Sequence, residues 1–429
     1  MKKKYRIILY TSIFLLCVVA SIILVVKKSN SVYEEESKPK VVKHKSMLSM
    51  NLEQTAGSGD YKTVTQSSWP TEGYKFNAEL SKCENGSTLS WDDTKKAVIV
   101  SGNLSDKCYV YFDIYQPTLA EYIKSQYTGT QGENNIYYHD SDLANGAGDN
   151  SYRYAGANPN NFVCFGTIES PCPIDNLYRI IGVFGENYHG ANGKQLVKLI
   201  KYDYMTTDEL GTDGDYSQTY KEWGMDSTYK GTYGDGERIG VYYWNYKATG
   251  SATNTWSTSL LNKTNLNTNF INNIGTTWAN KIATVTWKVG GNTWANIGTK
   301  TSSVAYTNEI TNPVTTNTTD NATTYSAKIG LMYVSDYGFA ASPDAWTLTM
   351  SSYNNTTATN NNWMYMGLYE WTISRSADYS DGAFYVYSDG DVDYFSVDYI
   401  VGVRASFNLE SSVSYVSGSG SMSDPIVIN

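Results

Sequence analysis

Histidine is almost missing from this chain, with three among 429 residues. A dense imidazole-based metal site is hard to build from so few. Charged side chains are sparse too, at 17%, and the formal net charge is -9. Basic residues gather into no stripe after Lys45. That removes the electrostatic footprint of a nucleic-acid binder, so no nucleic-acid partner is expected. No glycine-rich phosphate loop follows a strand and opens a helix. Spacing reveals neither the paired carboxylates nor the activated nucleophile of a hydrolase.

What is present is aromatic and polar. Tyrosine occurs 38 times and Trp 11 times, within an apolar fraction of 41%. Polar bulk comes from Asn, Thr, Ser and Gly, a composition that favours strands and long loops over surface helices. The length allows two or three domains.

The N-terminus is ordered by charge. Met1–Arg6 is basic, twenty residues from Ile7 to Val26 carry no charge, and Lys27-Lys28 closes the run. That length spans a hydrocarbon core, and the flanking charges place the bulk of the chain outside. The apolar run continues through Ile22–Val26, which favours a retained anchor (residues 1–28) over signal cleavage near Ala20 or Ser21. The expected partner there is the lipid membrane, through residues 7–26. Residues 29–69 read as a flexible polar stalk.

Five cysteines are divided unequally. Cys17 lies in the apolar run, whereas Cys83, Cys108, Cys164 and Cys172 lie beyond it. An even number outside fits an exported domain with two disulfides. Cys83–Cys108 with Cys164–Cys172 is the simplest pairing, although four cysteines allow three connectivities.

Residues 70–150 read as a small β-rich module, closed by one disulfide and carrying a short helix that Pro117 opens. Residues 151–429 read as the main domain. Tyr178–Phe184 and Gln195–Tyr202 form an antiparallel hairpin with a long loop on which His189 is solvated. Helical periodicity covers Trp256–Ile274, with Ser257 as N-cap, and a second short helix covers Thr277–Thr284. Asn292–Thr324 is an exposed Asn/Thr loop, where Asn317 and Asn321 fit a weak glycosylation pattern. Ile329–Ala340 reads as strand then loop. In Leu368–Leu409, Asp389-Gly390 marks a hairpin, and Val401, Val403, Ala405, Phe407 and Leu409 share one face of a strand. Pro425–Ile428 is a closing strand beside the lead-in strand of the domain.

Several segments recur in a recognisable order: Tyr178–Val183, Val197–Ile200, Trp256-Ser257 with Leu261-Asn262, Gly330–Met332 with Ser335–Tyr337, Trp371–Arg375, Asp389-Gly390 and Gly402–Arg404. In this order the chain resembles an uncharacterised bacterial family, domain of unknown function 6273. Ala405 stands where that pattern often has proline. The resemblance implies an α+β fold that is C-type-lectin-like and similar to formylglycine-generating enzymes: a twisted antiparallel sheet with packed short helices and long loops. In this chain the transmembrane helix and the small disulfide-closed β module would precede it. It implies a surface or secreted protein and brings no established activity.

Candidate ligand-binding residues are Asp336, Trp363, Tyr365, Arg375, Tyr385, Asp389 and Arg404. A guanidinium can grip an anionic group, but Arg375 and Arg404 read better as loop braces, with Asp336 or Asp398 as partner. Asp389, Asp391 and Asp393 are weak calcium candidates; a solvated acidic hairpin is the simpler reading, and no other cofactor is expected. Trp363, Tyr365, Tyr369, Trp371, Tyr379, Tyr385 and Tyr387 could stack on sugars if exposed. The functional expectation is a membrane-anchored bacterial surface protein with a non-catalytic glycan- or protein-binding ectodomain. A structural envelope or assembly protein is the first alternative. An enzyme of the formylglycine-generating or hydrolase type is the second, and no catalytic residue is assigned.

Overall fold

The computed structural model describes residues 48–65, 68–70, 73–185, 189–313 and 322–429. The expected membrane anchor, Asn317 and Asn321 lie outside them. The chain divides into two compact units, up to Gln116 and from Pro117 onward.

The first unit is a five-stranded sheet. Its strands are β1 (Leu48–Glu53), β2 (Tyr61–Val64), β3 (Tyr74–Phe76), β4 (Lys82–Cys83) and β7 (Cys108–Ile114), in the order β2-β1-β7-β3 with β4 also on β7. β5 (Thr88–Asp92) and β6 (Ala97–Ser101) form a separate hairpin. β1 runs parallel to β7, which places Met50, Leu52, Val110 and Phe112 in one small core. Period-2 alternation explains the set, since alternate residues of each strand face the same side. Cys83 lies directly opposite Cys108 in the β4–β7 ladder, and the two form a disulfide. Two segments read as stalk, Leu48–Glu53 and Tyr61–Val64, are thus strands of this sheet. The boundary read at residue 150 falls at Gln116.

The second unit holds the larger sheets. One has seven strands: β8 (Ile136–His139), β9 (Ser151–Tyr154), β10 (Phe162–Cys164), β11 (Leu177–Phe184), β12 (Leu196–Lys201), β17 (Ile329–Gly330) and β22 (Ser406–Asn408). Their order is β17-β22-β12-β11-β9-β8, with β10 on β11. A six-stranded sheet follows the order β13-β14-β21-β18-β19-β20. It is made from β13 (Tyr216–Thr219), β14 (Gly240–Tyr243), β18 (Glu370–Arg375), β19 (Gly382–Val386), β20 (Val392–Ser396) and β21 (Ile400–Gly402). Two small ladders complete it, β15 (Val285–Lys288) with β16 (Thr324–Ala327) and β23 (Tyr415–Ser417) with β24 (Val427–Ile428). Cys164–Cys172 is the second disulfide.

Helices are short. In α1 (Leu119–Ser125), Thr118 and Glu121 form a capping box, so Thr118 rather than Pro117 starts the helix. A π-helical stretch, Leu261–Phe270, leads into α2 (Ile271–Ala279), which bends at Gly275. This replaces the expected pair of helices and moves the start from Ser257. α3 (Ser302–Tyr306) continues as Thr307–Thr311. α4 (Val334–Ala340) occupies the place read as a loop. Every residue of α4 is buried, so its sequence lacks the polar face that reveals a surface helix.

The expected fold class needs correction. In place of one C-type-lectin-like twisted antiparallel sheet, the chain forms a mixed α+β structure with several sheets, two of which include parallel pairs. Among the described residues no helix is long and apolar enough to cross a membrane. The stretch 400–409 shows how periodicity misled. Its alternating residues suggested one strand, yet β21 belongs to the six-stranded sheet and β22 to the seven-stranded one. Val401 through Leu409 are buried on both faces of this crossing. The hairpin β11–β12 has the antiparallel pairing expected of it. Ile426, in the expected closing strand, bridges Val163 of β10.

Candidate functional site

The crossing from β21 to β22 is held by Arg404. Its Nε donates to Glu370 Oε1 at 2.8 Å, and its Nη2 donates to the Met364 carbonyl at 2.6 Å. Burial lowers the Arg404 pKa, but the Glu370 charge outweighs this and holds it above the ordinary value. The partner is thus Glu370, not Asp336 or Asp398. Arg375 is also buried, with Nε donating to the Val289 carbonyl at 3.1 Å. Burial lowers its pKa to about 10. Both arginines brace backbone.

The other candidates are largely interior. Trp363 donates from Nε1 to the Tyr154 carbonyl and packs under the Arg179 guanidinium, 4.6 Å from its ring. Tyr365 donates to the Ser388 carbonyl at 2.5 Å. Tyr385 and Trp371 are buried against each other, with ring centroids 5.9 Å apart. Asp336 is buried and paired with Lys198. His189, expected to be solvated, is buried and bonded through Nε2 to Asp149 at 2.8 Å. Burial lowers its pKa, with the Asp149 hydrogen bond opposing.

Asp389 lies at the exposed turn between β19 and β20. Burial, then the neighbouring Asp389 charge, raises Asp391 to about 7. Asp393 accepts from the Tyr394 amide at 2.8 Å. Among the described residues, no group of three His, Cys, Asp or Glu side chains could hold a metal ion.

A solvent-facing groove lies at the other end of the same hairpin. β20 is the edge strand of the six-stranded sheet, and its register puts Ser396 opposite Gly382 and Tyr394 opposite Phe384. Tyr379, Asp381, Gly382, Asp393, Tyr394, Phe395 and Ser396 line an open groove of about 420 Å³. Tyr379 is 52% exposed, and its ring stacks on that of Tyr394 at 5.2 Å and 15°. A Cβ on Gly382 would meet the Ser376 Cβ at 3.1 Å and stand in ordinary van der Waals contact, 3.4 Å, with Tyr379 and Tyr394. Phe395 is 44% exposed and packs 4.5 Å from Tyr399. Its hydrogen bond with Tyr379, followed by burial, raises Tyr394 to about 12, so the phenol stays neutral at physiological pH.

The groove offers flat apolar ring faces beside acceptor oxygens. That combination can stack on a sugar ring or an aliphatic face while carboxylates take hydroxyl protons. Of its residues, only Tyr379 and Asp393 figured among the sequence candidates, Asp393 as a metal ligand. Asp381, Tyr394 and Phe395 were missed. The available signal was Tyr394-Phe395, adjacent aromatics on a strand after Asp-Gly; one of an adjacent pair must face away from the core in a strand. No family model, curated protein or solved structure matches the chain.

Proposed function

We propose that this protein is an exported, non-catalytic binding protein that takes a glycan in the Tyr379–Tyr394 groove. The observation that carries the reading is an exposed tyrosine, Tyr379, stacked on the half-buried Tyr394 beside Asp381 and Asp393 in one concavity. Carbohydrates present alternating C–H faces and hydroxyl rims, and such a surface is complementary to both. Two disulfides are consistent with folding in an oxidising compartment. They also occupy Cys83, Cys108, Cys164 and Cys172, the thiols that a formylglycine-generating type of chemistry would draw on. Asp336, Trp363, Tyr365, Tyr385 and Arg404 are buried and line no part of the groove.

The test is a broad glycan array probed with the full chain, alongside Tyr379→Ala. Binding by the parent and its loss in a folded variant are expected. No binding by a correctly folded parent sinks the proposal.

A further inference from the structure

The most unusual chemistry in the second unit lies away from the groove. Lys198, on β12, pairs through Nζ with Asp336 Oδ2, on α4, across 138 positions of sequence. Both side chains are almost completely buried. Among the described residues the ammonium donates to no other hydrogen-bond acceptor. Its remaining surroundings are rings: Tyr333 with its centroid 4.3 Å away, Trp287 at 5.3 Å and Phe184 at 6.0 Å. An ammonium has three donors, and leaving two of them against rings in a dry interior is a poor solution for an ion pair.

Two further groups attend the pair. Arg153 Nη1 lies 3.8 Å from Asp336 Oδ1, and both atoms lack a hydrogen-bond partner. Glu309, fully buried, accepts from the amides of Val334 and Ser335 at 2.9 and 3.0 Å, and Asp336 is the next residue. Ser374 also donates to Glu309. A nucleophilic amine, an acceptor carboxyl, a cation over one carboxyl oxygen and a second carboxyl are therefore gathered in one aromatic-walled site.

We propose that Lys198 and Asp336 condense to an intramolecular amide, a covalent tie between β12 and α4. The reaction needs no oxidant, reductant or bound co-reactant. The Lys198 ammonium passes one proton to the Asp336 carboxylate. The neutral Nζ attacks Cγ of Asp336, and a C–N bond forms. Arg153 stabilises the negative charge that gathers on the carboxyl oxygen. Glu309 takes the second proton from nitrogen and returns it to the departing oxygen, a C–O bond breaks, and one water leaves. Ammonium plus carboxylate thus become amide plus water, with net charge unchanged. Held proximity supplies the effective concentration that free amines and acids lack.

The titration directions of Lys198 and Glu309 agree with these roles. Burial lowers the Lys198 pKa, which favours the amine. Burial raises Glu309 to about 7, so it exchanges a proton near neutral pH. Burial also raises Asp336, but the charges of Lys198 and Arg153 outweigh it, leaving the carboxyl below its usual range while the pair is ionised. Proton transfer within the pair removes one of those charges.

Mass spectrometry of the full chain tests this directly. After reduction of the disulfides, the parent should weigh one water less than its sequence. A tryptic digest should yield a branched peptide joining the segments of Lys198 and Asp336. Lys198→Arg should restore the water, and Glu309→Gln should leave a large un-condensed fraction. An unmodified mass with separate Lys198 and Asp336 peptides overturns the proposal. So does a water loss that maps elsewhere, for example to Ser374 and Glu309. The parent's peptide map decides the question even where a variant fails to fold.

Discussion

The seam around Arg404, Glu370, Lys198 and Asp336 differs sharply from the groove around Tyr379 and Tyr394. Both regions combine aromatic rings with acids. In the seam the acids meet fixed cations and backbone donors, and the rings complete the walls. In the groove Tyr379 and Phe395 are about half exposed, and Asp381 is exposed. The same residue types therefore do two jobs, and burial separates them. Where a buried charge loses its partner, stability falls; where an exposed ring is removed, little stability is lost but, on the reading proposed above, a ligand surface goes. That contrast yields four predictions, ordered by size.

Arg404→Ala should have the largest effect. It strands Glu370 in the interior, whose pKa burial already raises, and removes the donor to the Met364 carbonyl. Removing one partner of a buried pair costs about 3–5 kcal/mol. Denaturant unfolding of the full chain should register that loss, whereas glycan affinity of the remaining folded protein should be unchanged. A loss below about 1 kcal/mol would show that this seam tolerates an unpaired acid.

Glu309 comes next. Its pKa in the folded protein is about 7, against 4.5 for an ordinary glutamate. The folded state thus holds the proton more tightly than the unfolded state. The resulting stabilisation is fully present below the unfolded value and is lost as pH rises through the folded one. At about 1.4 kcal/mol per unit it is on the order of 3 kcal/mol. Asp336 and Lys198 are charged groups that act on it. Glu309→Gln should flatten the dependence of melting temperature on pH between about 4.5 and 7. The slope is the readout, because loss of a covalent tie would lower the midpoint at every pH.

These sites were unevenly legible in the sequence. The hairpin β11–β12 and the Asp389-Gly390 turn are local patterns, and alternation or turn chemistry alone specifies them. The cysteine spacing made the observed pairing the simplest of three. Arg404 could be read as a brace, but not its partner, since Glu370 lies 34 positions away. Lys198 and Asp336 were less visible still, because nothing local links β12 to α4. Interior helix α4 has no amphipathic signal, and the 400–409 stretch keeps one alternation while changing sheets. The groove needed exposure, which sequence does not carry: Tyr385 and Tyr394 look alike in the chain, yet one is interior and the other lines a concavity.

The remaining predictions concern the groove. Tyr379→Ala removes a ring that is half in solvent, so stability should move by no more than about 0.5 kcal/mol. Loss of one stacking face should nevertheless weaken glycan binding about tenfold, equivalent to about 1.4 kcal/mol. Tyr379→Phe keeps the face and should retain most of the affinity.

Asp381→Asn should give the smallest change. The amide retains one acceptor oxygen but loses the charge that strengthens a hydroxyl hydrogen bond. A net contribution of about 0.5–1.5 kcal/mol for one such bond corresponds to roughly a two- to tenfold weaker affinity. Calorimetric titration with an array-identified glycan, repeated on Asp393→Asn, separates the two acids. Asp393 already accepts from the Tyr394 amide, so its substitution should also disturb the ring beside it. If Asp381→Asn leaves affinity unchanged while Asp393→Asn lowers it, the hydroxyl contact belongs to Asp393, and the ligand lies along β20 rather than across the start of β19.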